Sequence, residues 1–254
     1  MLSFDLKDEN NLIGTLPEEL GLLRLLEDLD FDGNRGINGT IPSSLGNLQL
    51  LESIDLDFNL ITGSIPEEIY NATSLISIDL NDNMITGSIS PNIGSLSQLQ
   101  IFFVDSNRIT GTLPAQMGSM AALKYVTLNS NQIVGPIPSA FEDLTKLKVL
   151  NLHKNVGING TIPAFLGDLS DLRRLSFFET SISGSIPSSL GQLTDLAFLF
   201  LHFTDLSGTM PNEICELRHF EDGDGKKLVS LTADCGGENP KVVCPQPSCC
   251  TACL

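Results

Sequence analysis

The sequence predicts a repeat solenoid, in which short strands stack turn upon turn around one continuous core. A glycine recurs at intervals of 24 or 25 residues, nine times between Gly14 and Gly208. Upstream of these glycines, apolar and polar residues alternate over a short phrase, and most of the phrases end on asparagine. One such turn cannot bury its apolar face alone, so the turns must stack to form a stable core.

The glycine period sets the number and length of the turns. Two stretches far apart, NRGINGTIPSSLGNL (34–48) and NVGINGTIPAFLGDL (155–169), are nearly identical because both turns carry one extra residue. The repeating glycines are Gly14, Gly39, Gly63, Gly87, Gly111, Gly135, Gly160, Gly184 and Gly208. We therefore expect about nine turns over residues 1–217.

The phrase LxxLxLxxN predicts one short strand in each turn. It reads LESIDLDFN from Leu51 to Asn59 and LKVLNLHKN from Leu147 to Asn155. Its fourth and sixth places are apolar, which is the period of two expected of a strand with one buried face. Burial of such side chains contributes roughly 1.5–3 kcal/mol each, so several turns are needed to offset conformational entropy.

The ninth-place asparagine predicts a buried hydrogen-bonding ladder. Its amide donates and accepts at once, so a column of asparagines satisfies backbone groups where the chain leaves each strand. The column comprises Asn34, Asn59, Asn83, Asn107, Asn131 and Asn155. Thr180 and Thr204 replace asparagine in the last two turns, and we expect a weaker ladder there because a hydroxyl forms fewer bonds.

These phrases resemble the plant-type leucine-rich-repeat family, whose repeat reads LxxLxLxxNxLxGxIPxxLGxLxx; LDFNLITGSIPEEI is one match among nine. The resemblance covers about residues 1–217. It implies an α/β repeat solenoid, a right-handed superhelix with a concave parallel sheet, a short second strand and 3-10 turns on the convex side. Family members are usually extracellular recognition domains of receptors or secreted inhibitors, so the resemblance implies an extracellular or cell-surface location.

Charge and hydropathy exclude two classes of partner. The chain has 31 acidic and 14 basic residues, a formal charge of -17, which disfavours nucleic acid and anionic membrane surfaces. No apolar run reaches the length of a membrane span. Met1 opens directly into a strand phrase, without a signal peptide or a cysteine-bearing cap, so we expect a segment of a longer protein.

The cysteines predict a stapled carboxyl-terminal cap over residues 218–254. Six cysteines allow 15 pairings, and the sequence does not choose among them. They are Cys215, Cys235, Cys244, Cys249, Cys250 and Cys253. Disulfides in an oxidising compartment are the main interpretation. A zinc site at Cys250 and Cys253, with His219 nearby, is the alternative, but no second CxxC is present.

Catalytic and cofactor motifs are absent from the sequence, so we expect a protein that is not an enzyme and needs no cofactor. There is no GxSxG, HExxH or phosphate-binding loop, and the chain has three histidines. The segment EDGDGKK (221–227) hints at a calcium loop, yet Ala233 stands where that loop needs glutamate.

The exposed strand places stack into columns about 4.8 Å apart per turn, which predicts a surface of two characters. The fifth place reads Asp5, Asp30, Asp55, Asp79, Phe103, Thr127, Asn151, Ser176, Phe200, and the seventh reads Lys7, Asp32, Asp57, Asn81, Asp105, Asn129, His153, Phe178, His202. The acidic part, centred on Asp55, Asp57 and Asp79, is either a solvated face or a site for a cationic partner or divalent ion.

The aromatic end of the same face is the stronger candidate site. Its residues are His153, Arg174, Phe178, Phe200, His202 and Phe203, with Phe198 beside them. Exposed aromatic side chains on a concave surface are typical of binding hot spots for a protein, peptide or glycan. Alternatively, the cysteine-rich tail folds back over these rings. The histidines predict pH sensitivity near pH 6.5.

Two other functions stay open. Thr or Ser flanks most of the repeating glycines, as in Thr62/Ser64 and Thr110/Thr112, and such hydroxyl ladders suggest ice binding. A structural or adhesive wall protein is the third possibility. Three N-glycosylation sequons, at Asn38, Asn71 and Asn159, lie outside the strand phrase, where a sugar would leave the concave sheet open.

Overall fold

The computed structural model describes residues 2–6, 10–218, 228–236, 240–246 and 249–253. Lys7, His219 and the segment 221–227, which the sequence analysis discussed, lie outside the described residues. Within the described part, the chain forms the predicted solenoid, with one strand per turn on one side and one short helical turn on the other.

One parallel sheet of eleven strands runs the length of the solenoid and forms its concave face. Most of these strands have three residues, the third to fifth places of the phrase, as in Ser53–Asp55. Ile54 and Leu56 are buried on either side of Asp55. The strands are Leu2–Asp5, Leu26–Asp30, Ser53–Asp55, Ser77–Asp79, Ile101–Phe103, Tyr125–Thr127, Val149–Asn151, Arg174–Ser176, Phe198–Phe200, Ser230–Ala233 and Ala252–Cys253.

The pairing register confirms the predicted fifth-place column. Asp30 pairs with Asp55, and Asp55 with Asp79. At the other end Ser176 pairs with Phe200. Every turn therefore places its fifth residue beside the fifth residue of the next, and the two characters of the surface follow from sequence alone.

Short helical turns cover the convex side. All but one follow a proline in extended conformation at the N-cap, whose fixed φ ends the preceding segment and starts the turn. The 3-10 turns are Glu18–Leu22, Ser43–Asn47, Glu67–Asn71, Pro91–Ser95, Ala115–Ser119, Ser139–Asp143, Ala164–Asp168 and Ser188–Gln192, and an α-helix occupies Asn212–Glu216. Each contributes a buried apolar residue, such as Leu45 or Phe141, to the core.

The predicted second strand forms small parallel sheets on the flank of the solenoid. The repeating glycines of this segment have a left-handed backbone, as at Gly63 with φ +75°, which directly follows the strand Leu60–Thr62. The strands are Ile13–Thr15, Gly36–Thr40, Leu60–Thr62, Val134–Gly135, Gly157–Ile158, Ser183–Gly184, Asp205–Leu206, Gly208–Thr209 and Val242–Val243.

The asparagine ladder forms as predicted. The amide of Asn107 donates to the carbonyls of Leu80, Val104 and Asp105 at 2.9–3.2 Å, and its oxygen accepts from the Ile85 N–H at 2.8 Å. Each internal rung therefore ties two consecutive turns together.

The ladder weakens where the sequence departs from the pattern. The Thr180 hydroxyl donates to the Phe177 carbonyl at 2.6 Å, and the Thr204 hydroxyl makes the same bond to Leu201. Asn59 follows the longer second turn, and its side-chain oxygen has no hydrogen-bond partner among the described residues. The extra residue displaces the N–H that this oxygen would accept.

The cysteine-rich segment extends the solenoid. Three disulfides join Cys215 to Cys249, Cys235 to Cys253 and Cys244 to Cys250. The strand Ser230–Ala233 pairs with Phe198–Phe200 in parallel, so the described part of the cap adds to the edge of the sheet. The described cap strand lies beside Phe198–Phe200 in the sheet, with Thr232 next to Phe200.

Candidate functional site

The aromatic end of the concave face is built on a stack of three rings in the seventh-place column. The rings of His153 and Phe178 are stacked, with centroids 4.1 Å apart and planes 15° apart. The rings of Phe178 and His202 are stacked likewise, at 4.7 Å and 8°. Consecutive turns are spaced at nearly the thickness of such a stack, so the repeat itself brings the three rings together.

A second group of rings flanks this stack. Phe200 meets Phe178 edge to face at 6.5 Å, and Phe198 lies 6.1 Å from Phe200. The guanidinium carbon of Arg174 sits 4.5 Å from the centre of the Phe198 ring, a cation–π contact. Arg174 is therefore held by the rings, and its charge stays at the surface of the site.

Phe203 completes the site at its outer rim. It sits at the eighth place, where the backbone is left-handed (φ +55°), and 57% of the residue is exposed. Its ring lies 5.0 Å from that of His202, and its N–H donates to Asp234 of the cap at 2.6 Å. The eighth place is left-handed in earlier turns as well, as at Phe58 (φ +48°), so the repeat sets this conformation.

Both histidines of the stack are bonded to hydroxyls. Nδ1 of His153 lies 3.1 Å from the Ser176 hydroxyl, and Nδ1 of His202 lies 2.6 Å from the Thr232 hydroxyl. Burial lowers the pKa of His153 to about 4, aided by the charges of Lys154 and Arg174. Burial also lowers the pKa of His202. Both histidine pKa values therefore lie below the ordinary value of about 6.5, so we expect any pH sensitivity of these histidines at lower pH than the sequence predicts.

The acidic candidates form a separate cluster several turns away. Carboxylate oxygens of Asp55, Asp57 and Asp79 lie within 4.8 Å of one another, and all three residues are half-buried. Burial, followed by repulsion from neighbouring aspartates, raises the pKa of Asp57 to about 7. Burial raises the pKa of Asp79 to about 7 and that of Asp55 to about 6. A fully solvated face would not raise these pKa values.

Part of the acidic column has a structural role that the sequence analysis missed. The Asp55 carboxylate accepts a hydrogen bond from the Asp57 N–H at 3.3 Å, and Asp79 accepts from the Asn81 N–H at 3.1 Å. Asp30 does the same for Asp32. Aspartate followed two residues later by a polar residue is the sequence signal of this local turn. Asp57 differs, because its buried Oδ1 has no partner among the described residues.

The three sequons lie on exposed asparagines away from the concave sheet. Asn38 lies within the short strand Gly36–Thr40, Asn159 directly follows Gly157–Ile158, and Asn71 ends the 3-10 turn Glu67–Asn71. Glycosylation there remains a prediction.

The sequence matches known family models of a repeat. Two models described as leucine-rich repeats match residues 97–156 and residues 50–72 and 74–96, on the phrases that build the sheet. The chain carries leucine-rich repeats. No functionally curated protein matches this leucine-rich-repeat chain in sequence.

Solved plant receptors share the fold of this leucine-rich-repeat protein. The plant peptide hormone receptor RGFR1 in complex with RGF2 is 31% identical over 91% of the chain, with a TM-score of 0.81. The Arabidopsis receptor kinase HAESA, in complex with the peptide hormone IDA and the co-receptor SERK1, is 29% identical over 92%, with a TM-score of 0.80. The chain spans only 36% and 37% of those two structures.

A plant ice-binding protein is a further structural relative. It is 26% identical over 81% of the chain, the match covers 73% of its own length, and the TM-score is 0.64.

Among the helices in the described part of the present chain, none combines the length and apolar character that a bilayer crossing requires.

Proposed function

We propose that this leucine-rich-repeat protein is a non-enzymatic, extracellular recognition module that binds a peptide or a peptide segment of a protein. The contact surface is the aromatic end of the concave face. The observation that carries the proposal is the open cluster of Phe178, Phe198, Phe200 and Phe203 around two histidines and Arg174. Solved relatives that bind peptide hormones support this ligand class.

The repeat has no need for these rings, which is why they indicate a partner. The solenoid needs apolar side chains at the fourth and sixth places, where Leu199 and Leu201 are fully buried. Phe200 lies between them and faces away from that core. Large apolar surface left near water costs free energy unless a partner covers it, and clustered aromatics with an arginine are the usual composition of hot spots.

An extended chain fits the shape and charge of the surface. The concave sheet is a long shallow face, and its acidic cluster and its aromatic end lie on the same columns. A ligand that lies along the columns would meet carboxylates at one end and rings at the other. We therefore expect basic residues in the ligand segment that faces Asp57 and Asp79, and apolar or aromatic residues facing Phe200.

The test is selection of linear peptides from a random display library on the folded, immobilised protein. We expect enriched peptides to pair a basic segment with an apolar one. Their binding should fail on a Phe178→Ala/Phe200→Ala variant and persist on Phe58→Ala, which removes an exposed ring at the acidic end.

Three results would contradict the proposal. They are no enriched peptide, peptides that bind the double variant as well as the wild type, and exclusive binding to a glycan array. Measuring the melting temperature of each variant separates lost contacts from lost folding.

Ice binding is the second candidate, favoured by one surface. The residue after each repeating glycine is exposed in every turn and is Thr or Ser except at Pro136, as at Ser64, Ser88 and Thr112. In some turns the residue before the glycine bonds internally instead: the hydroxyls of Thr62, Thr110 and Ser183 donate to carbonyls of the preceding turn.

Thermal hysteresis and ice-recrystallisation assays decide this candidate, with Ser88→Leu/Thr112→Leu as the disabling variant. A sugar on Asn38 or Asn159 would stand on this hydroxyl column, because the sequon threonines Thr40 and Thr161 belong to it. Activity of the unglycosylated protein that the variant abolishes would establish ice binding. Absence of activity in unglycosylated material would exclude it.

A further inference from the structure

Two disulfides of the cap form one compact sulfur cluster. The sulfur atoms of Cys235, Cys244, Cys250 and Cys253 all lie within 4.8 Å of one another, although they belong to the two separate bridges Cys235–Cys253 and Cys244–Cys250. The third bridge, Cys215–Cys249, does not belong to this group. Four sulfurs at this spacing are already near the arrangement of a metal site.

The distances match tetrahedral thiolate coordination. With a Zn–S bond of about 2.3 Å, four thiolates around zinc lie about 3.8 Å from one another. Opening the two S–S bonds lets the paired sulfurs separate to that distance, and no other sulfur pair in the cluster has to close by more than about 1 Å. Cys250 and Cys253 also have the C-x2-C spacing that chelates one zinc ion.

Backbone hydrogen bonds hold the cluster together independently of its sulfurs. Thr232 pairs with Ala252 and Ala233 with Cys253 in the parallel sheet. The Thr251 side chain bonds both the N–H and the carbonyl of Leu231, at 2.8 and 2.6 Å. The strand Val242–Val243, next to Cys244, pairs with Gly208–Thr209. Reduction would therefore leave the four cysteines near one another.

Exposure separates these two bridges from the third. Cys253 is exposed, and Cys235 and Cys244 are half-buried, whereas Cys215 and Cys249 are at most 1% exposed. A thiolate or phosphine must reach a sulfur atom to open a disulfide, so the cluster should open before the buried bridge. The buried bridge then continues to tether the cap to the helix Asn212–Glu216.

We propose that the cap contains a latent tetrathiolate site, in which Cys235, Cys244, Cys250 and Cys253 bind one Zn²⁺ once their two disulfides are reduced. Each disulfide takes two electrons from the reductant and yields two thiols. A dithiol also supplies the two protons and becomes a disulfide, whereas a phosphine becomes the phosphine oxide and the protons come from the water that supplies its oxygen. Zn²⁺ then displaces four protons and forms four Zn–S bonds. The oxidised cap has no thiolate to offer and binds no metal here.

The experiment starts with stepwise reduction of the folded protein by a water-soluble phosphine. Alkylation and mass spectrometry identify the form with four free thiols and an intact Cys215–Cys249 bridge. That form is titrated with Zn²⁺, and with Co²⁺ as a coloured substitute. We expect one metal per chain, the visible bands of a tetrahedral cobalt tetrathiolate, and protection of the four cysteines from alkylation.

Two controls accompany the titration. The oxidised protein should bind no metal, which excludes the carboxylates around Asp57 as the site of uptake. The Cys235→Ser/Cys253→Ser variant keeps the other two bridges and offers only two thiols after the same reduction. Its zinc affinity should fall at least about tenfold.

The outcomes decide the proposal in each case. Hydrogen exchange at the amides of Leu231 and Thr232 reports whether the reduced cap keeps its strand, and zinc should restore any protection that reduction removes. A four-thiol form that binds no metal overturns the proposal, whether or not its cap has opened. Equal uptake by the oxidised protein or by the double variant also overturns it.

Discussion

Phe200 occupies a strand place whose column neighbours are Ser176 and Thr232, so the repeat does not require an aromatic residue there. Its ring contacts Phe178 and Phe198 and lies 6.0 Å from the Arg174 guanidinium. The group is half-exposed and sits beside a core that is complete without it. At the scale of residues, the candidate binding side chains therefore occupy strand places that the core of the solenoid does not use.

Replacing Phe200 by Ala should weaken binding of a selected peptide by about 1 to 4 kcal/mol, the range of interface hot spots. The melting temperature should change little, because Leu199 and Leu201 keep the core filled. Phe178→Ala should also weaken binding, with some loss of stability, because this ring is stacked between His153 and His202. Calorimetric titration and thermal unfolding check both statements. Early melting with unchanged affinity in both variants would assign the rings to the fold.

Asp57 should make stability depend on pH in a direction unusual for a carboxylate. Its pKa is raised from 3.8 to about 7, so the folded state binds the proton more tightly than the unfolded state. The stability gained from that proton is fully present below about pH 4 and is lost as pH rises through about 7. Asp57→Asn should therefore raise the melting temperature more at about pH 8 than at about pH 4.

Asp143→Asn, an exposed substitution on the convex side, is the matched control and should show no such difference. Thermal unfolding of the three proteins at both pH values gives the comparison. His153 has the opposite effect on stability, since its lowered pKa removes stability as pH falls from about 6.5 to about 4. This effect is the same in all three proteins, so it cancels in the comparison. An equal effect of Asp57→Asn at both pH values would contradict the assignment.

Among the elements, the asparagine ladder determines how firmly one turn holds the next. Asn107 uses both its donor and its acceptor, whereas Asn59 uses only the donor because the preceding turn is one residue longer. The one extra residue in the turn before Asn59 thus accompanies the loss of the hydrogen bond that the Asn59 side-chain oxygen would accept. The threonines of the last two turns reduce the ladder further, and there the sheet continues into the cap.

Asn107→Thr should destabilise the protein by about 1 to 3 kcal/mol, because carbonyls that the amide satisfied stay buried without a donor. Asn59→Thr should cost less by about 1 kcal/mol, since its oxygen has no bond to lose. Denaturant unfolding of the two single variants measures the difference. Equal costs would show that the accepted bond from Ile85 adds nothing to the ladder.

At the scale of the whole molecule, three parts differ in what they carry: the concave face, one flank and the cap. The concave face is the proposed ligand surface, the flank bears the hydroxyl column with two of the sequons, and the cap closes the core with disulfides. The concave face and the flank are separate surfaces of one repeat and can therefore be tested independently. The net charge of -17 favours basic segments in any partner of the concave face.

Material expressed through a eukaryotic secretory pathway should carry N-glycans on one or more of Asn38, Asn71 and Asn159, because all three are exposed. Peptide binding should survive their enzymatic removal, since none of the three lies on the concave sheet. Glycopeptide mass spectrometry and a binding assay before and after deglycosylation check both parts. Native protein that is unmodified at all three sites would contradict the proposed extracellular location.

The sequence by itself determined the repeat and most of its consequences. The period of the glycines predicts the turns, and the alternation around residues such as Ile54 predicts the strands. Because parallel strands in a solenoid stack in register, the same pattern also predicts which side chains share a column, from Asp55 beside Asp79 to Ser176 beside Phe200. These are local, periodic properties, so they can be read without knowing the fold.

Only the tertiary structure decided what those columns do to one another. Stacking places His153 and His202 on either side of Phe178, and burial lowers the pKa of both histidines. Burial raises the pKa of Asp57 to about 7, because in both cases it disfavours the charged form. The cysteine spacing allowed 15 pairings, and the cap strands chose one of them by bringing distant sulfurs together. Desolvation and sulfur pairing depend on distances between residues far apart in the chain, which a one-dimensional pattern does not contain.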